Sequence, residues 1–332
     1  MVRRFDDGTA FRFHYNAVGL LTGSEGPSGS RSYRDDPSGR LQWVDASRGS
    51  WLTYSYNAAG DRTGVTTPFG TTGYAFDAAG RLSRVTAATG EVFTIGYTPD
   101  GLREQVEYPN GNVQSYGYDR MNRIEAMDLV SSDGTLLAGY TAGFDPRGNR
   151  TRLTDHTGAV HGYGYDALSR LVEEIVSAPA EGLDLVLGYR YDAVGNRTRV
   201  EKNGVVYLSE YDVNDRLEQS EDETGTTRYS YDAAGNLTRE ARSDGSVVYE
   251  YDRAGRLARA LTAQGSADYH HDVAGNRIAI TRDGVRTDYL VDTNRSYAAV
   301  LAEIQADRGP PIATYTFGSG ILAQHREGVV LV

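Results

Sequence analysis

The chain has no cysteine, which excludes disulfides and thiolate metal sites. Lys202 is its only lysine, and 45 acidic residues outnumber 34 basic ones for a net charge of −11. That balance leaves no basic face for a phosphate backbone, so nucleic acid is not an expected partner. None of the 39 glycines stands beside another. This excludes a flexible glycine linker and the Gly-Gly-x-Gly-x-Asp signature of calcium-binding nonapeptide repeats. No apolar run approaches the ~20 residues of a membrane-spanning helix. The opening Met-Val-Arg-Arg-Phe-Asp-Asp-Gly has no apolar stretch of signal-peptide type. Tryptophan is confined to Trp43 and Trp51.

Tyrosine is abundant, at 24 against 8 phenylalanines. Nineteen of the 24 sit one or three residues before a recurring acid, amide or threonine. These register positions are Asn16, Asp36, Asn57, Asp77, Thr98, Asp119, Asp145, Asp166, Asp192, Asp212, Asp232, Asp252, Asp272 and Asp292. Neighbours in this series stand about 20 residues apart, some of them one place further, which is the period of a repeat architecture. Two intervals are longer, Asp119 to Asp145 and Asp166 to Asp192. Full tyrosine pairs are Tyr54/Tyr56, Tyr116/Tyr118, Tyr163/Tyr165, Tyr189/Tyr191, Tyr229/Tyr231 and Tyr249/Tyr251, while Tyr74 is paired with Phe76 and Tyr15 with Phe13. The repeat occupies residues 11–295, with 296–332 as a closing segment. The whole of 1–332 therefore reads as one repeat segment, with no second domain.

Proline follows the register position at Pro37, Pro99 and Pro146. Glycine usually stands three residues after it, as at Gly60, Gly80, Gly195, Gly235, Gly255 and Gly275. Asp or Thr first, Pro second and Gly fourth is the preference of a type I turn closed by a left-handed residue. Asn122 and Asp215 replace the glycine with residues that tolerate positive φ, whereas Ser169 and Arg295 fit poorly. The aspartate is thus read as a turn residue whose carboxylate accepts hydrogen bonds from its own backbone, not as a catalytic acid. Four residues after it, Arg40, Arg81, Arg123, Arg170, Arg216 and Arg256 alternate with asparagines. That alternation suggests Arg–Asp contacts between stacked turns.

A second turn signal falls between consecutive acids in the later copies. Asn203-Gly204 lies between Asp192 and Asp212, and Asp283-Gly284 between Asp272 and Asp292. Between the turns lie segments of ~7 residues with period-two alternation, the mark of half-buried strands. Each copy is therefore a β-hairpin. Fourteen hairpins give ~28 strands, a sheet roughly 130 Å wide at ~4.8 Å per strand. Open twisted sheets rarely exceed ~10 strands, so an all-β sheet that spirals and curls into a barrel-like shell is expected. The two longer intervals, one with its extra length within Asp128 to Gly143 and one containing Ala178-Pro-Ala-Glu-Gly182, are expected as longer loops opposite the Asp turns. Ser296 to Gln305 is the helical candidate. The apolar Phe11–Tyr15 and Gly328–Val332 would form uncapped edges, so either self-association or a change in curvature that lets the first and last strands meet is expected.

Tyr-x-Tyr-Asp-x-x-Gly-Asn/Arg-Leu/Arg, recurring at this regular period, resembles the YD repeats of Rhs (rearrangement hot spot) proteins. Their relatives include the C components of insecticidal toxin complexes and the extracellular region of teneurins. The resemblance covers nearly the whole chain. The stretch from Tyr289 to Leu322 is similar to the segment ahead of the Rhs core. The resemblance implies a secreted or bacterial cell-surface β-sheet cocoon that encloses a C-terminal toxin, freed in the family by aspartate-dependent cleavage in the core. It also implies an N-terminal plug and neighbouring shell repeats as partners, and no cofactor. The chain is expected to be a shell segment that starts inside a repeat and stops before the core. Phe144-Asp-Pro-Arg-Gly148 sits in repeat register and reads as an ordinary turn.

An enzyme would need two carboxylates facing one substrate, and nothing in the array singles out a pair. The six histidines lack ligand spacing, and His270-His271 fills a Tyr-x-Tyr slot. The remaining alternative is a carbohydrate- or receptor-binding repeat array, in which tyrosines stack on sugar rings.

Overall fold

The computed structural model describes residues 1–46, 49–178, 182–305, 309–326 and 329–331. Its 32 strands belong to one antiparallel sheet, each hairpin following the last in chain order. Twenty-eight of them are the paired arms of the fourteen registers. The other four are Val2–Arg4 at the start and Ala313–Phe317, Ile321–Arg326 and Val329–Leu331 at the end. Ala313–Phe317 and Ile321–Arg326 make a fifteenth hairpin, with Gly318 where the acid would stand. A count made on the acid cannot see it.

Among the described residues there is no helix. The helical candidate, Ser296 to Gln305, instead contains the strand Ala299–Ile304, paired with Val285–Asp292. Ala299, Leu301 and Ala302 are buried there, and burial overrides a modest local helix preference.

Thirteen of the fourteen residues three places after the register position have positive φ. Ser169 is among them at φ 60°, held in the left-handed region despite its side chain. The exception is Arg295. In nearly all of these turns the register N–H and C=O bond to the residues four and three places on, as in Asp36 N–H to Arg40 O at 2.8 Å and Gly39 N–H to Asp36 O at 2.9 Å. One strand residue is then skipped opposite the second aromatic: Tyr56 faces Arg62 and Ser55 faces Gly64, leaving Thr63 as a bulge. Such a bulge increases local twist.

The opposite turns explain the repeat length. Where the strands meet through a two-residue turn, as at Thr67↔Gly70 and Lys202↔Val205, the repeat takes its shorter length. Where a five-residue turn replaces it, as at Ala87 to Glu91 and Tyr108 to Asn112, the repeat is one place longer. The two long intervals depart from expectation. The first lengthens the strands, Ile124–Val130 to 7 residues and Leu136–Phe144 to 9, around a five-residue turn. The second has strands of 8 and 9 residues, Leu171–Ala178 and Leu183–Tyr191, while Pro179, Ala180 and Glu181 lie outside the described residues. Extending a ladder gives each added N–H and C=O a partner, which a loop does not.

By its contacts the chain divides into two units, Ile95–Val247 and Met1–Thr94 with Val248–Val332. In Ile95–Val247 few apolar side chains are fully covered, Val106 and Val176 among them. The unit made of both chain ends holds a core in which Val44, Leu52, Tyr54 and Val65 pack on Leu290, Leu301 and Ala302. Phe11–Tyr15 is not an edge: Val2–Arg4 pairs outside it, and Phe11 is buried. The terminal strands are Val2–Arg4 and Val329–Leu331, which among the described residues pair only with their sequence neighbours, so the sheet is not closed. Gly328 and Val332 lie outside the described residues.

Candidate functional site

Two features gather the polar chemistry of the chain: the array of register turns, and a seam between early and late hairpins in the unit that contains both ends. At Asp36, Oδ1 accepts the backbone N–H of Ser38 (2.9 Å) and Arg40 (3.0 Å), while Oδ2 accepts Arg40 Nε at 2.7 Å. Asp77, Asp119, Asp166, Asp212 and Asp252 accept the arginine four places on in the same way. Asp145, Asp192, Asp232 and Asp272 accept the corresponding asparagine amide. At Asn57 the polarity is reversed, with its Nδ2 donating to Asp61. The Arg–Asp pairs therefore lie within single turns, not between stacked ones. The spacing of four brings the guanidinium back over its own turn.

The backbone N–H of Arg40 holds the Asp36 carboxyl below the usual carboxylate range, and the N–H groups of Arg81 and Arg170 do the same for Asp77 and Asp166. For Asp145, Asp212 and Asp232 the leading cause is the side chain of Asn149, Arg216 or Asn236. Each of these carboxylates is engaged by its own turn. Among the described residues no cluster of His, Asp and Glu is placed to hold a metal ion.

Neighbouring hairpins are joined by the tyrosine just before the register position. The hydroxyl of Tyr56 donates to Leu41 O (2.6 Å), Tyr118 to Arg103 O (2.8 Å), Tyr165 to Arg150 O (2.9 Å) and Tyr191 to Leu171 O (2.7 Å). Tyr231 repeats this with Leu217 O at 2.8 Å. In every case the acceptor belongs to the preceding hairpin. The preceding arginine covers the ring: Arg40 over Tyr56, Arg170 over Tyr191 and Arg216 over Tyr231, at 4.6, 4.8 and 4.9 Å from the ring centres. Arg40, Arg123 and Arg170 also donate to the next register carbonyl, of Asn57, Asp145 and Asp192. Where the arginine comes one place later it lies between the outer rings, Arg62 between Tyr54 and Tyr74 and Arg277 between Tyr269 and Tyr289. Other outer tyrosines find polar neighbours within reach: Tyr116 donates to Gln114, Tyr189 to Glu174, and Tyr229 meets Ser220 Oγ. Tyr163 stacks with His161, while Tyr249 and Tyr251 are half-buried.

At the seam the register turns at Asp252 and Asp272 meet the opposite turns of early hairpins, while Asp292 meets the register end of the Asn57 hairpin. Arg253 Nε lies 3.4 Å from Asp7 Oδ2, and Arg256 covers the ring of Phe11. Arg31 meets Asp272 at 3.3 Å, with both side chains buried. Val273 packs so closely on Gly26 that a Cβ there would stand 2.8 Å from its Cγ1. Asp292 is fully buried: Oδ1 accepts the Tyr54 hydroxyl (2.9 Å) and the N–H of Asn294 (3.0 Å), and Oδ2 accepts Arg62 (2.7 Å). Burial, then the Asp292 charge, raises the pKa of the Tyr54 hydroxyl.

The signature grouped Asp292 with thirteen equivalent positions, and Arg31 and Arg62 were not singled out. One mark was visible. The fourteenth copy has Val291 for its second aromatic and Arg295 for its glycine. Freed from the regular turn, Asp292 uses Arg62 of a distant hairpin in place of a residue four places on.

Residues 149–290 match the Teneurin YD-shell family model and residues 56–92 match the RHS Repeat. No curated protein matches the chain. Among solved structures, a crystal structure of TcdB2-TccC3-Cdc42 is similar over 98% of this chain at 13% identity and a TM-score of 0.49. TcdB2-TccC3 without its hypervariable C-terminal region gives 99%, 13% and 0.49. The Photorhabdus luminescens Tc holotoxin pore, with a mutated TccC3, gives 99%, 13% and 0.47. The chain spans about a quarter of the length of these chains, 25%, 25% and 24% respectively.

Proposed function

We propose that this chain, a YD-repeat (RHS-repeat) protein, is a length of shell wall that encloses a C-terminal toxin domain of a longer secreted or cell-surface protein. One observation carries the reading: the turn carboxylates and the inner tyrosines are used in joining hairpin to hairpin. Asp36 is occupied by Ser38 and Arg40, and Tyr56 by Leu41 O and Arg40. Chemistry used for assembly at copy after copy supports a structural rather than a catalytic role. It also favours a wall over a sugar-stacking platform, because the tyrosine faces already carry guanidinium groups.

The match to a YD-shell model supports the same reading. So does the seam, where one row of turns receives another. Val273 is the docked turn tip there, whereas Met121, Leu168, Val194 and Val213 are turn tips exposed by 67, 73, 72 and 99%. Further shell repeats of the longer protein are the partners proposed for that apolar row, and its N-terminal plug for the shell interior.

Limited proteolysis of the longer protein tests the enclosure. The C-terminal domain is expected to survive at protease levels that digest it rapidly when made alone. Digestion at the same rate in both settings would overturn the reading.

A further inference from the structure

Arg31 lies in the strand Gly29–Asp35 and is 5% exposed. Its Nη1 contacts Asp272 Oδ2 at 3.3 Å, but its Nε and Nη2 have no hydrogen-bond acceptor among the described residues. These two nitrogens form one edge of the guanidinium, a fork whose N–H groups converge on a single point. Buried donors of a charged group are seldom left unmade, because the desolvation cost is then uncompensated.

Asp272 does not satisfy that edge. Its Oδ1 accepts the N–H groups of Ala274 (3.0 Å) and Asn276 (2.9 Å), and its Oδ2 accepts Asn276 Nδ2 at 3.0 Å. The carboxylate is held by its own turn and gives Arg31 one contact. Beside Arg31 is a cavity of about 10 Å³, lined by Ser24, Ser28, Ser30, His271, Asp272 and Val273 among others. A volume of ~10–15 Å³ takes one particle of water size.

We propose that this cavity binds a single monatomic anion, chloride in ordinary buffers, on the Nε–Nη2 edge of Arg31. The donors belong to a cation and converge on one point, which suits one negative acceptor. Serine hydroxyls can rotate to donate to the same centre. The site lies in the seam between early and late hairpins, so its anion stabilises their docking by mass action.

The test compares thermal melts in sodium chloride and sodium gluconate at equal ionic strength, together with bromide soaked into crystals. Chloride is expected to raise the midpoint by on the order of 2 °C over gluconate. Arg31→Met is expected to abolish the difference, since Asp272 keeps its own-turn donors. An anomalous bromide peak about 3.3 Å from Nε and Nη2 is expected in the unsubstituted chain, a distance allowing for the larger halide. The bromide experiment decides the matter if the variant does not fold. Equal melting in both salts, or water without anomalous signal at the fork, would overturn the proposal.

Discussion

Asp232 and Gly235 do different work within one turn, and substitution separates them. Asp232 Oδ1 accepts the N–H groups of Ala234 and Asn236, a task an asparagine oxygen can perform. Asp232→Asn is therefore expected to lower the melting midpoint only slightly. Gly235 has φ 87°, where a β-branched side chain is strained, so Gly235→Val is expected to cost more, at least ~1–2 kcal/mol. Paired denaturant melts check the order; a larger loss for the asparagine variant would assign the carboxylate a charge-specific task. The same hydrogen bonds set a pH dependence. Asp36, Asp77, Asp166 and Asp232 have pKa values below the ordinary carboxylate range in the folded chain. Their contribution is then fully present above the unfolded value of ~3.9 and is lost as pH falls through the lower folded values. Melting temperature is expected to drop progressively below about pH 4 for this reason, and a flat profile down to about pH 2 would contradict it.

A hairpin tolerates change in its turn and not in its strands. Asn203 and Gly204 have φ 48° and 85°, the paired positive values of a two-residue type I′ turn. Five-residue turns serve the same rim elsewhere, so one glycine inserted between Asn203 and Gly204 is expected to cost under ~1 kcal/mol. One residue inserted within Arg197–Lys202 moves every later side chain of that strand to the other face. Such a slip would break the pairing of Val200 with Tyr189 on one side and Tyr207 on the other. Hydrogen exchange of the two insertions should show local loosening at the turn in the first and loss of protection across adjoining hairpins in the second.

Because the sheet is not closed, the two chain ends are held by the seam and not by a strand pairing. Removing one partner of a buried ion pair costs about 3–5 kcal/mol, and Arg62→Met leaves the fully buried Asp292 without its cation. That loss should appear in denaturant melts and should be largest at the hairpins of residues 44–65 and 285–304. Gly26→Val should loosen the same unit by crowding Val273. Association is expected at the exposed turn tips and at the terminal strands Val2–Arg4 and Val329–Leu331. Sedimentation across a concentration series, with Met121, Leu168 and Val194 changed to serine, separates the two: association by the turn tips falls, association by strand edges does not.

Strand, turn and repeat were legible in the sequence because they are local. Asp252, Gly255 and the Tyr249/Tyr251 pair fall within a few residues, so their period and turn preference can be read directly. Even the choice between the two common repeat lengths reflects one local turn. The tertiary structure decided what lies between distant segments. Asp272 and Asp292 stand at the same register position as twelve other residues, yet their partners, Arg31 and Arg62, are more than two hundred residues away. No period reports a contact of that separation. Ala299–Ile304 shows the same limit, because its strand pairing and burial against Val44 and Leu52 outweigh the propensity of its own residues.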